Sequence, residues 1–421
     1  MFVDLKNKEI IIDKAYLKYE IDDCLNIIKI NNPNQKLINF CLLIAYFNNL
    51  KAVKNETIID LKDYLFGQNE LKIEDIIFKR LVRIGDLKTG FNNTICDVDE
   101  VLIGEMEIKD DKYQTGLTTV FPHPRNMYNE KVVGAAYVFN GYGKSAGLIQ
   151  IEELGQIETP IVMTSTLNVG KIMDGLLDEV LEQNPNVTSI NSIVMECNDG
   201  YLNDSRDKPL GKNHLLKTFE NRKKEFKQGD FGAGAGMTCH GFKGGIGSSS
   251  RIININGVEY TLGIILNSNF GSSNGAELIF NGRRLSPYIE KYSEEYLDKG
   301  SIVGVFATDI ELDSRQLKRV LKRIELGIAR TGSYAGNGSG DVFVGFSTKN
   351  KITKPFNANI KRFNDDDINI VFKAVVEMSE EAVLNSMLFA HTIIKENKIR
   401  KGLLEYLPIF DDLLDIEIEK K

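Results

Sequence analysis

At 421 residues, with 42% hydrophobic and 26% charged residues, the chain has the make-up of a soluble globular protein too large for one small core. A formal net charge of -7 argues against a general nucleic-acid binder, which would present a basic face. The charged N-terminal run MFVDLKNKEI does not suit a signal peptide, and the longest apolar stretch, 37–47, is too short for a bilayer; five scattered cysteines without a CxxC pair predict free thiols and a cytoplasmic protein.

Of 36 glycines, only Gly67 lies in the first 78 residues. That segment mixes apolar runs (9–12, 24–30) with a helical pattern over 35–49, and reads as a small appended domain, 1–78, ahead of a main domain, 79–421. From about Arg80 the texture turns to short β-rich runs between Gly, Asn and Asp turns. Turn signals stand at Lys88-Thr89-Gly90 and Asn92-Asn93. A strand is predicted over 132–139, ending in an Asn140-Gly141 turn. Ile172, Leu176, Leu177, Val180 and Leu181 recur at helical spacing and predict a helix over 168–183. A strand at 191–196 and an exposed helix at 215–227 follow. After the glycine-dense stretch 229–247, Asn256-Gly257 joins two apolar runs as a hairpin, because both residues tolerate positive φ. The remaining expectations are a strand at 301–307, a helix at 314–329, a glycine-rich turn at 332–340, a strand at 342–347 and a helix at 367–396. Strands and helices come in separate runs, so the fold class is α+β, a sandwich of sheets and helices.

Three glycine motifs fail their tests. Gly232-Ala233-Gly234-Ala235-Gly236 lacks dinucleotide spacing, Lys243-Gly244-Gly245 puts its lysine before the glycines, and Gly338-Ser339-Gly340 is not a GxSxG elbow. The four histidines (His123, His214, His240, His391) share no metal-ligand spacing, and nothing calls for a metal or organic cofactor. His123, between two prolines, suggests a turn. Cys239 and His240, adjacent in an extended segment, would point to opposite faces and form no nucleophile pair.

Gly271-Ser272 is different, because it closes a predicted buried strand. Glycine permits a strained backbone that exposes its carbonyl, and a serine just after it can attack that carbonyl. If the bond breaks, Ser272 gains an α-amine whose ordinary pKa of about 7.7–8.0 suits a general base for its own hydroxyl.

Eight marks in order, spread over about 80–396, resemble the family of the L-aminopeptidase/D-esterase and the β-peptidyl aminopeptidases, which are self-cleaving N-terminal-nucleophile hydrolases. They are Gly116-Leu117-Thr118-Thr119-Val120 with Pro122-His123; Asn140-Gly141-Tyr142-Gly143; Glu152-Glu153-Leu154-Gly155 with Glu158-Thr159-Pro160-Ile161; Glu196-Cys197-Asn198-Asp199; Gly236-Met237 with 241–247; Asn269-Phe270-Gly271-Ser272; Ala307-Thr308-Asp309; and Gly338-Ser339-Gly340-Asp341. The resemblance implies an αββα sandwich, self-cleavage between Gly271 and Ser272, and Ser272 as nucleophile. It implies that Glu153 receives the substrate's ammonium, a natural partner for a carboxylate. Ser301 matches a serine near the nucleophile in some members, while Asn269 and Ser339-Gly340-Asp341 would shape the pocket. Two positions depart from the pattern. Asp230 stands where the family places an oxyanion-donating asparagine, so either protonation or the amides of 232–236 would have to compensate. Leu167 stands where the family has a tyrosine.

The expected function is a self-processing N-terminal-serine aminopeptidase or amidohydrolase acting on peptides or small amides through an acyl-enzyme. Self-association is expected, and neither nucleic acid nor membrane is an expected partner. The alternatives are a non-hydrolytic relative serving as a binding module, motivated by Asp230 and Leu167, and an amidase for a non-peptide amide.

Overall fold

In this computed structural model the structure describes residues 82–272, 275–285, 300–395 and 398–403 (357–358 by backbone only), with the backbone of short strands at 2–4, 9–12, 27–29, 51–54, 57–59, 76–80 and 417–420. The chain divides into two compact units, residues 1–83 with 404–421, and residues 84–403. In the first, five short strands form a sheet in the order Ile27–Lys29, Phe2–Asp4, Glu9–Ile12, Lys51–Lys54, Thr57–Ile59. Glu417–Lys420 pairs antiparallel with Ile76–Arg80. The C-terminal strand thus joins the first unit, whereas the sequence alone placed it with the main domain; long-range strand pairing leaves no local signal. The helix expected over 35–49 lies outside the described residues.

The second unit runs, in order, β1 (Leu102–Lys109), β2 (Gln114–Phe121), β3 (Glu130–Gly141), α1 (Leu148–Leu154), β4 (Ile161–Ser165), α2 (Val169–Gln183), β5 (Ile193–Cys197), α3 (Lys212–Glu220), β6 (Gly245–Ile255), β7 (Val258–Asn269), β8 (Ser301–Thr308), α4 (Ser314–Leu321), α5 (Ile324–Arg330), β9 (Gly340–Thr353) and α6 (Asn369–Leu388). One sheet has the order β5-β4-β2-β1, and the other Gln156–Ile157, β3, β9, β8, β7, β6. α2 and α3 cover the first sheet, and α4 and α6 cover the second, with α5 packed on α6. The result is the four-layered αββα sandwich of the α+β class.

Period-two side-chain alternation builds the core. Val303, Val305 and Ala307 of β8 face inward with Val344 and Phe346 of β9, meeting Met163 of β4 and Met195 of β5. On the far side of the smaller sheet, Leu117, Val162 and Val194 pack under Ile172, Leu176 and Val180 of α2. The glycine–serine run of β6 has a packing cause. A Cβ on Gly247 would lie 1.8 Å from the Ala382 carbonyl oxygen of α6, so that helix can rest directly on the strand backbone.

The 256–257 hairpin forms as expected, with φ of 52° and 86°. Four expected elements differ. The helix expected at 215–227 ends at Glu220, where the Asn221 side chain bonds both the N–H and the carbonyl of Glu105 on β1. The helix expected at 314–329 is two helices, and the break aims α5 so that Gly327 meets the Val376 carbonyl of α6. α6 stops at Leu388, where the backbone of Gly229 crowds the Phe389 carbonyl and Asp230 takes the His391 N–H. Asn140-Gly141 is the paired end of β3 and not a turn; the Asn140 amide donates to the carbonyls of Ala335 and Gly336.

Candidate active site

β7, β8, β9 and β3 terminate side by side. Asn269 is paired with Ser301, Ser301 with Gly340, and Gly340 with Gly141. Three residues after Asn269 the chain reaches Ser272, which is 1% exposed. The sheet edge therefore brings four predicted positions together: Asn269, Gly271, Ser272 and Ser301. The Ser301 Oγ accepts the Gly340 N–H at 3.1 Å, which leaves its own proton to be donated. The Asn269 side chain takes the Thr238 N–H at 2.9 Å and donates to the Asn198 carbonyl at 3.0 Å. It ties the β7 end to two loops.

Gly271 has φ of 87°. That left-handed conformation costs a side-chain-bearing residue roughly 1–2 kcal/mol, so glycine is required twice over: a Cβ here would also stand 2.5 Å from the His240 Nδ1. His240 does not lie in an extended segment. Thr238–Cys239 pairs with Phe242–Lys243, and His240-Gly241 forms the turn, with His240 itself at φ 48°.

Asp230 is buried and built into an ion cluster. Its carboxylate accepts the His391 ring Nδ1–H at 2.7 Å, the His391 backbone N–H at 3.0 Å and the Lys109 ammonium at 2.9 Å. Burial alone would raise its pKa. The His391 hydrogen bond and the charges of Lys243 and Lys109 outweigh that and hold the carboxyl far below the usual range. Asp230 is therefore ionised, and protonation does not turn it into a donor. The neighbouring amides are also committed: Gly232 to Glu107, Ala233 to Thr118, Gly234 to Phe231 and Ala235 to Gly232. The compensation expected from these four amides is thus directed inside the fold.

Lys243, fully buried, organises the same loop. Its Nζ donates to the carbonyls of Gly234 (2.9 Å), Met237 (2.9 Å) and Gly244 (2.7 Å). Burial pushes its pKa down to about 7 against the pull of Asp230. Three carbonyl acceptors match the three N–H bonds of the charged form.

Glu153 sits exposed on α1, next to Glu152, which pairs with Lys318 at 2.6 Å. Leu167, 47% exposed, follows Thr166 in a short turn. One buried acid beside this sheet edge is a residue to which the sequence reading gave no role. Glu196, 2% exposed, bonds the Thr166 hydroxyl and the Lys144 N–H (2.9 Å), and a Cβ on Gly143 would be 3.5 Å from it and 3.7 Å from Gly340. Its only sequence signal was its place in the 196–199 mark. His123 is buried and structural, bonded to the Glu130 carbonyl at 2.7 Å.

A sandwich of this architecture, with a buried serine after a left-handed glycine at a strand end, defines the class of N-terminal-nucleophile hydrolases. The chain belongs to peptidase family S58, whose model matches residues 93–400. It is 31% identical over 309 residues to the β-peptidyl aminopeptidase BapA of Sphingosinicella xenopeptidilytica, covering 68% of this chain and 76% of that one. Among solved structures, a Pyrococcus horikoshii OT3 protein superposes with a TM-score of 0.73 and 42% identity, covering 76% of this chain and 94% of that one. The L-aminopeptidase D-Ala-esterase/amidase of Ochrobactrum anthropi, described as a variant of the N-terminal-nucleophile hydrolase fold, superposes with a TM-score of 0.72 and 28% identity over 79% and 98% of the two chains. The protein is an enzyme, a serine-type aminopeptidase or amidohydrolase.

Proposed function

We propose that the chain cuts itself between Gly271 and Ser272 and then releases N-terminal residues from peptides or small amides. The observation that carries this reading is the alignment of Asn269, Ser301 and Gly340 at one sheet edge, with Asn269 three residues ahead of Ser272. In turnover the freed Ser272 α-amine takes the Oγ proton as Oγ attacks the scissile carbonyl. The proton then passes to the leaving amine, and water hydrolyses the acyl-enzyme. Ser301, whose proton remains to be given, donates toward the reacting oxygens.

Glu153 is proposed as the anchor of the substrate ammonium. Its exposure leaves it open to an incoming cation, whereas Glu196 is occupied by Thr166 and Lys144. The name of the Sphingosinicella relative makes β-amino-acid N-termini the first substrates to try. We place the protein in the cytoplasm as a self-associating enzyme; the free buried thiols of Cys96 and Cys197 agree with a reducing compartment.

The test is intact-mass analysis of the purified chain beside Ser272→Ala, with hydrolysis of α- and β-aminoacyl amides. Two fragments in the wild type and one chain in the variant, with activity confined to the cut form, is the expected result. An uncut wild type without hydrolysis would end this reading.

A further inference from the structure

Self-cleavage poses a problem that turnover does not. Before the bond breaks, the Ser272 nitrogen is an amide and cannot act as a base, so another group must take the hydroxyl proton. We propose that His240 is the base of the maturation step, a role it gives up once Ser272 carries a free amine. The inference rests on the reading that the chain cuts itself at 271/272.

The geometry of the ring carries the argument. A methyl built on Gly271 would meet His240 Nδ1 at 2.5 Å, Cε1 at 2.7 Å and Cγ at 2.8 Å, so the imidazole lies directly on the residue whose carbonyl is attacked. The His240 N–H holds the Phe270 carbonyl at 2.8 Å, and the two rings meet edge to face at 5.2 Å, which fixes the imidazole against the end of β7. Nδ1 is fully buried and has no hydrogen-bond partner among the described residues.

The tautomer follows from the other nitrogen. Nε2 lies 3.4 Å from the Thr331 Oγ1, and that hydroxyl already donates its one hydrogen to the Ile328 carbonyl at 2.7 Å. Thr331 can therefore only accept, which puts the ring proton on Nε2. Nδ1 is left as a lone pair facing Gly271. Burial holds the ring pKa down to about 4 with no charged neighbour contributing, so the neutral form is present at working pH. A buried lone pair without a donor is costly unless it serves a purpose.

The chemistry balances. Nδ1 takes the Ser272 Oγ proton as Oγ bonds to the Gly271 carbonyl carbon. The C–N bond of the adduct breaks, and the same proton passes to the departing nitrogen. An ester between Gly271 and the Ser272 Oγ remains, with a free α-amine. Water then adds to the ester and the C–O bond breaks; Oγ takes one of the water's hydrogens, the other passes to the new α-amine, and Gly271 leaves as a carboxylate.

The test uses the full chain. Glycine suits φ of 48° at position 240, so His240→Gly removes the ring without straining the turn. First-order appearance of the 272–421 fragment should slow by about 100-fold, the usual weight of a general base. Added imidazole should restore it, with rescue by substituted imidazoles of similar size rising with their base strength. Hydrolysis per cut chain should equal wild type. Thr331→Val, which removes the acceptor that sets the tautomer, should also slow cleavage, and it decides the matter if His240→Gly does not fold. Wild-type cleavage rates in the folded variants would overturn the proposal, as would a rescue indifferent to base strength, which would mean the ring only fills space. Failure of the underlying reading looks different: an uncut wild type, or a cut Ser272→Ala.

Discussion

Asp230 and His391 are joined twice, through the imidazole Nδ1–H at 2.7 Å and the backbone N–H at 3.0 Å. The pair closes the end of α6 over the glycine loop, with Lys109 completing the charge balance. A position at which the family pattern suggests an oxyanion donor is here an ionised acceptor with its lone pairs engaged.

The first prediction concerns that carboxylate. Its folded pKa is depressed, so its contribution to stability is fully present above the unfolded value of about 3.9 and is lost as pH falls below it. Asp230→Asn should cost about 3 kcal/mol at pH 7, because it leaves His391 and Lys109 without their buried anion. The variant's stability should also vary less than the wild type's below about pH 4. Restoring the family's asparagine should not raise kcat. Denaturant melts across pH and steady-state kinetics check each point.

Lys243→Met should be more damaging than its volume suggests. It leaves the carbonyls of Gly234, Met237 and Gly244 without their shared donor. The Gly234 and Met237 carbonyls keep the backbone N–H groups of Met237 and Gly244, so the Gly244 carbonyl is the acceptor most affected; the expected loss is about 1–3 kcal/mol and a lower Tm. Thermal unfolding measures it; a variant as stable as wild type would show that water replaces the ammonium.

Glu153 and Glu196 separate by substrate. Glu153→Gln should raise KM about tenfold for substrates with a free amine and leave N-acetylated esters unaffected, a loss on the scale of one charge-assisted bond. Glu196→Gln should lower stability, since it disturbs the bonds to Thr166 and Lys144. If Glu196→Gln is the variant that discriminates by the amine, the ammonium anchor is Glu196.

Gly271→Ala combines an unfavourable φ with a collision against His240. The single variant should be destabilised by roughly 1–2 kcal/mol from the backbone alone, and more from the ring. In the His240→Gly background the ring part should vanish, giving a coupling of about 1 kcal/mol or more in a double-mutant cycle. Additive effects would mean that the ring moves aside at no cost.

Ser301→Ala should lower kcat by about 10²-fold, the usual weight of one well-placed donor, and should cost about 1–3 kcal/mol of stability by taking away the acceptor of the Gly340 N–H. Single-turnover kinetics on the cut enzyme would separate that loss from any effect on maturation.

The sequence by itself determined the α+β class, the hairpin at Asn256-Gly257 and the identity of Gly271-Ser272 as the point of interest. These are local matters: turn residues with positive φ, alternation along a strand, and marks in a fixed order. It did not determine what stands beside Ser272. Whether Asn269, Ser301 and Gly340 share one edge depends on strand register between segments far apart in the chain. Asp230 read as an isolated departure from the family pattern, and only packing brings His391 and Lys109 to it. His240 read as one of an extended pair pointing away from its neighbour, and the tertiary structure puts it in a turn with its bare nitrogen against Gly271. Local rules fix where a chain turns, but the partner of a buried polar group is set by which distant backbone closes over it.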